Sequence, residues 1–169
     1  CTYFFFFVYH YYDAASSLLG YSKTPEIETF AKGLSELVLR VRDLVCKNPA
    51  NAVSPKDFRC YLVAHSMGGL VCRAFLQNPA LDPRKTRGYV DKFFTYATPH
   101  NGIDVAGFNI PSGVALFDIN NFDRDKRMPQ YLDLVAAKKK HGRVDLIPED
   151  RFPSRRIFCM VGTNRMDYD

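Results

Sequence analysis

Ser66 stands in the run Tyr61-Leu-Val-Ala-His-Ser-Met-Gly-Gly69, where a short apolar stretch meets a pair of glycines. Arg59 to Ala64 reads as a buried strand, and Gly68-Gly69 opens a helix with Leu70, Val71, Ala74 and Phe75 on its apolar face. A serine on so sharp a strand-to-helix turn is pushed out at the helix N-terminus, the arrangement of a G-x-S-x-G nucleophile elbow. The positions two before and two after the serine must be small to let strand and helix approach. Here they are Ala64 and Gly68, so the one departure from the pattern is a mild one. The chemistry such a serine can do is attack on an acyl carbonyl through Oγ. The Met67 backbone N–H would face the developing oxyanion, backed by the field of the helix N-terminus. His65 reads as packing beside the elbow, because adjacent residues in a sharp turn point apart.

A second signal is Ala97-Thr-Pro-His-Asn-Gly102 at the end of the apolar stretch Val90 to Ala97. Pro99 and Gly102 suit a rigid turn. Functional sites of parallel sheets lie beyond the carboxyl ends of the strands. Thr98, Pro99 and His100 are therefore expected to line the pocket around Ser66, together with His65.

The elements that must position these residues follow from periodicity. Tyr3 to Tyr12 is dense in Phe, Val and Tyr without polar alternation, which suits a strand buried on both faces. Asp13 to Lys23 reads as a loop. Thr24 as N-cap and Pro25 at the first helical position then open a helix. Its stripe is Ile27, Phe30, Ala31, Leu34, Leu37, Val38, Val41, Leu44 and Val45, and it ends at Asn48-Pro49. The second helix closes at Asn78-Pro79. Ile103 to Arg127 lacks periodicity and reads as an insertion, at about 103–128. Pro129 to Lys140 can form a helix, with Tyr131, Leu132, Leu134, Val135 and Ala136 as core residues. Arg156 to Gly162 reads as a last strand. Strands alternating with helices predict an α/β fold: a doubly wound, mostly parallel sheet with helices on both faces.

The run AHSMGG followed by YATPHNG resembles the lipase and esterase branch of the α/β-hydrolase superfamily. It is most similar there to proteins of the GPI inositol-deacylase type and to bacterial lipases, which carry a G-H-S-M-G-G elbow and a T-P-H-x-G loop. The likeness runs from Phe4 through Gly162, with its specific motifs confined to 61–70 and 96–102. It implies an ester-cleaving Ser-acid-His triad on a single partial hydrolase domain over 1–169, an ester or lipid substrate and no cofactor. The family's chain order is Ser, acid, His. No histidine follows His141, which reads as a helix C-terminus, and a catalytic His100 would break that order; His10 reads as structural. The triad His is therefore expected outside this chain. Asp167 and Asp169 are the acid candidates within it, with a later loop as the alternative. The second oxyanion donor would precede Phe4. Apolar residues of the insertion, from Phe108 to Phe122, can form a lid or acyl-binding wall, or simply pack onto the fold. Two further readings are a non-catalytic, hydrolase-like binding module and an acyltransferase on the same scaffold.

Composition excludes several other classes. The 47% hydrophobic and 24% charged content is that of a folded globular chain rather than a disordered one. The net charge of +5 is scattered apart from Lys138, Lys139 and Lys140, which argues against a nucleic-acid patch. That Lys run suits a solvated helix end. The charge is compatible with weak attraction to anionic substrates or a membrane surface. The five cysteines have no C-x-x-C spacing and no His at metal-ligand spacing, so no metal site is expected. An odd number of cysteines, three of them in apolar segments where Cys acts as a small buried hydrophobe, favours a reducing, cytoplasmic compartment. No apolar run approaches the ~20 residues of a membrane span. The chain opens at Cys1 directly in an apolar run and stops at Asp169 soon after another, so both ends read as cut.

Overall fold

A computed structural model describes residues 6–9, 26–103 and 121–161. Within these, three strands form one parallel sheet in the order β1 (Cys60–His65), β2 (Val90–Tyr96), β3 (Ile157–Met160). Four helices accompany it: α1 (Ile27–Lys47), α2 (Met67–Gln77), α3 (Arg127–Tyr131) and α4 (Val135–His141). The class is mixed α/β, with each sheet connection crossing from the end of one strand to the start of a parallel neighbour.

α1 buries Ile27, Phe30, Ala31, Leu34, Val38 and Val45, the stripe its spacing predicts. Of the rest of that stripe, Leu37 and Val41 are half-buried and Leu44 is 64% exposed. The helix starts later than Thr24-Pro25 suggest. Its N-cap is Glu26, whose extended backbone presents its carbonyl to the N–H groups of Thr29 and Phe30; Thr24 and Pro25 lie outside the described residues. α1 and α2 end the same way. Asn48 and Asn78 each accept the N–H two residues on through Oδ1, at 3.1 and 3.0 Å, as a following proline starts a 3-10 turn.

Polar Ser35 is buried within the α1 stripe, where it meets a loop. Asp82, itself buried, accepts from Ser35 Oγ at 2.8 Å, Thr86 N at 2.8 Å and Arg87 N at 3.0 Å. This cluster fastens the α2–β2 connection to α1. At the start of α1, Arg127 of α3 donates to both oxygens of Glu28 at 3.0 and 2.9 Å.

Several expectations are corrected. Residues 6–9 of the expected first strand belong to no strand, and Phe6, Phe7 and Val8 are exposed. Aromatic density favours a strand only where a neighbour supplies the ladder. Here the described anchor is instead the Tyr9 hydroxyl, which donates to the Phe30 carbonyl at 3.0 Å and lies over Gly33. The 129–140 helix is two helices. At the break, Leu134 N–H bonds the Pro129 carbonyl at 2.8 Å and Asp133 N–H the Gln130 carbonyl at 3.2 Å, with Asp133 at φ 55°. That is a Schellman stop, which sequence periodicity does not reveal. It leaves Tyr131, Leu132 and Leu134 in the core and turns Val135 and Ala136 to solvent.

Helices on both faces of the sheet are not seen among the described residues. Phe93 and Thr95 of β2 are buried on the helix side, whereas Tyr61, Val63, Tyr96, Phe158 and Met160 are exposed. That open face carries its own aromatic contacts, with Phe94 stacked on Phe158 and His65 on Tyr96. Residues 104–120 of the insertion lie outside the described residues. No helix among the described residues is long and apolar enough to cross a membrane.

Replacing Asp82 with Ala removes the acceptor of the Thr86 and Arg87 N–H groups, while the Ser35 and Thr86 hydroxyls keep each other at 2.9 Å and the Ser35 carbonyl at 3.2 Å. An unsatisfied buried donor costs ~1–3 kcal/mol, so a loss of about 2 kcal/mol is expected, most of it from the buried Thr86 N–H. Urea unfolding of Asp82→Ala against the wild type measures it.

Candidate functional site

β1 ends at His65 and α2 begins at Met67, so a single residue makes the turn between them. Ser66 does this with φ 51° and ψ −129°, a conformation that disfavours any residue with a Cβ. Non-glycine residues held in such regions carry about 1–3 kcal/mol of strain, and persist where the surroundings over-determine them. The surroundings here are explicit. Ser66 N–H donates to the Tyr96 carbonyl at 2.9 Å, extending the β1–β2 ladder into the turn. The Ser66 carbonyl accepts from Gly69 N–H at 3.0 Å and from Thr98 Oγ1 at 3.0 Å. With its carbonyl so occupied, Ser66 is part-exposed and its side chain does not cap the helix.

Met67 is the first residue of α2, so its N–H belongs to the first turn, whose donors have no intrahelical partner. It lies next to Ser66 at the positive end of the helix dipole. Gly69 is required by contact rather than by conformation. A Cβ there would meet Thr98 Cγ2 at 2.5 Å and Thr98 Cβ at 2.8 Å. The two motifs read from sequence therefore touch: the elbow and the Thr98 turn pack glycine against threonine.

Within that turn, His100 N–H donates to the Thr98 carbonyl and Gly102 N–H to the Pro99 carbonyl, both at 2.9 Å, with Gly102 at φ 78°. The His100 ring is directed at the sheet. Its Nε2 lies 3.0 Å from Thr95 Oγ1 and 3.7 Å from Cys159 Sγ. Burial, helped by the nearby Arg73 charge, lowers its pKa to about 4, so the ring is neutral near pH 7. His65 is exposed and stacks on Tyr96, centroids 5.6 Å apart, on the open face of the sheet. His141 is exposed at the end of α4, before Gly142 at φ 69°.

Of the residues expected at the site, Ser66, Met67 and Thr98 are brought together. His65 and His100 flank them with their rings engaged elsewhere. Asp167, Asp169, His10 and the apolar insertion residues Phe108 to Ile119 lie outside the described residues; Phe122 is half-buried and packs against the core. No group of three metal-ligating side chains occurs among the described residues. The cysteines expected as buried hydrophobes divide. Cys72 is buried and its pKa pushed up to about 12, while Cys159 is exposed on β3.

Arg73 escaped the sequence reading. α2 is buried on all sides from Gly68 to Gln77, and Arg73 is buried with it, at 0% exposure. The available sign was that Arg73 and Gln77, four residues apart, are the polar members of an otherwise apolar helix; a helix with so little polar surface has no solvent face to give them.

The fold and site thus define an α/β protein with a serine on a strained turn at the carboxyl end of a parallel strand. Compared with known proteins, the chain matches no family model, no curated protein and no solved structure.

Two outcomes follow. Gly69→Ala forces Thr98 or the elbow to move, and overpacking of this kind costs about 1–3 kcal/mol, read as a lower melting temperature. His100 binds its proton more weakly in the folded chain, at about 4, than at its ordinary 6.5. Its contribution to stability is present above pH 6.5 and is lost as pH falls toward 4, because the unfolded chain then binds the extra proton. His100→Gln should flatten the stability profile between those values, measured by urea unfolding at a series of pH values.

Proposed function

We propose that this chain carries the nucleophile of an α/β-hydrolase that cleaves carboxylic esters, with Ser66 as that nucleophile. The observation behind the reading is the Ser66 backbone at φ 51°, alone between β1 and α2 at the carboxyl edge of a parallel sheet. Strain of that kind, over-determined by three backbone and side-chain bonds, is the expected signature of a residue displayed for chemistry.

In this reading Ser66 Oγ attacks the ester carbonyl while a histidine takes its proton. The carbonyl oxygen becomes an oxyanion facing the Met67 N–H, and a second donor comes from another loop. Collapse expels the alcohol, which receives the proton from the histidine. Water, deprotonated by the same histidine, then attacks the acyl-enzyme; the acyl–Oγ bond breaks, the acid leaves and the histidine returns the proton to Ser66 Oγ. The histidine is assigned outside the described residues, since the His65 and His100 rings are engaged by Tyr96 and Thr95 and His141 is exposed at the end of α4. A carboxylate, Asp167 or Asp169 or one on a later loop, orients it. A lipid ester suits the apolar insertion expected beside the site.

The test is hydrolysis of p-nitrophenyl esters by the full-length protein. Ser66→Ala should lower kcat by ~10³-fold or more with the melting temperature little changed. Equal activity in the variant would remove Ser66 from the chemistry.

A further inference from the structure

We propose that Arg73 is a positioning residue for Ser66: its buried guanidinium braces the 98–102 turn, which in turn holds the elbow. The inference rests on the hydrolase reading above.

Arg73 lies on α2 about two helical turns beyond Ser66. A buried charge is costly unless it is paired or fully hydrogen-bonded. Arg73 is satisfied by neutral acceptors: the His100 carbonyl at 2.8 Å, the Val144 carbonyl at 2.8 Å, the Leu146 carbonyl at 3.3 Å and Gln77 Oε1 at 3.3 Å. Among the described residues no carboxylate accepts from it; neighbouring Asp145 is engaged by Arg143. Burial lowers its pKa to about 10, which leaves it charged near pH 7.

These acceptors belong to three pieces of chain: α2 itself, the turn after β2, and the 144–146 segment. An apolar side chain would fill the same space in this helix more cheaply. What it would not do is hold the His100 carbonyl. From that carbonyl the turn runs back, through its own 2.9 Å bond from His100 N–H to the Thr98 carbonyl, to Thr98. Thr98 Oγ1 then donates to the Ser66 carbonyl at 3.0 Å. The brace is a closed circuit that leaves α2 at Arg73 and returns to it at Ser66. A planar guanidinium with five donors on three nitrogens can meet all four acceptors, and an ammonium with three donors on one atom cannot.

The test compares Arg73→Lys with wild type in the full-length protein, reading ester kinetics and amide hydrogen exchange on samples whose folding is checked by thermal melting. The expected result is a kcat lower by on the order of 10- to 100-fold, the size of effect a small misplacement of reacting groups produces. KM should stay within about twofold, because ground-state binding is untouched. Exchange should quicken at the amides of Ser66, His100 and Gly102. Unchanged exchange at those amides in folded Arg73→Lys overturns the brace, as does a loss confined to KM or to the folded fraction. Should Arg73→Lys not fold, Thr98→Val cuts the circuit at its other end and leaves the buried charge satisfied. Faster exchange at Ser66 with lowered kcat then supports the brace, and wild-type behaviour overturns it. If the wild type cleaves no ester, the hydrolase reading fails, and exchange alone decides whether Arg73 holds the turn.

Discussion

Between His65 and Met67 the chain has one residue in which to leave a parallel strand and begin a helix. That constraint sets the positive φ at Ser66, and much of the surrounding structure answers to it. The β1–β2 ladder runs one bond past the strand, from Ser66 N–H to the Tyr96 carbonyl. α2 must pass so close to the end of β2 that its first turn admits only glycine beside Thr98. A helix packed that tightly at its start is enclosed throughout its length, and its buried Arg73 and Gln77 must find partners inside. They do so on the backbone of the turn and of Leu132, which joins elements far apart in sequence to one helix.

Local geometry and packing thus act in the same direction. The Ser66 carbonyl, which would otherwise be free to let the turn relax, is tied down by Gly69 and Thr98. The Thr98 turn is tied in its turn through His100, by its carbonyl to Arg73 and by its ring to Thr95. A neutral His100 suits this role, since a charged ring would sit beside the buried Arg73 cation.

The parts legible in sequence were those governed by short-range pattern. The α1 stripe, the three strands of the sheet, the elbow and the Thr98 turn each announce themselves through spacing or through Gly and Pro. What escaped depended on partners distant in sequence. Residues 6–9 look like strand yet lie outside the sheet, because aromatic content says nothing about a ladder. The break at Asp133 is a capping event with a non-glycine residue at positive φ, so no glycine marked it. Helices on both faces followed from alternation alone, but the face bearing Tyr61, Val63 and Phe158 is open among the described residues. Arg73 does not stand out in sequence, because a cation in a helix ordinarily faces solvent and its acceptors at His100, Val144 and Leu146 are distant along the chain.

The reading of Ser66 as an activated nucleophile is tested most directly by treating the full-length protein with a fluorophosphonate and mapping the adduct by peptide mass spectrometry. A single adduct on Ser66, absent from Ser66→Ala, is the predicted result. A folded wild-type protein that takes up no label, or takes it up elsewhere, would contradict it and leave the strained turn as an architectural feature of an α/β scaffold.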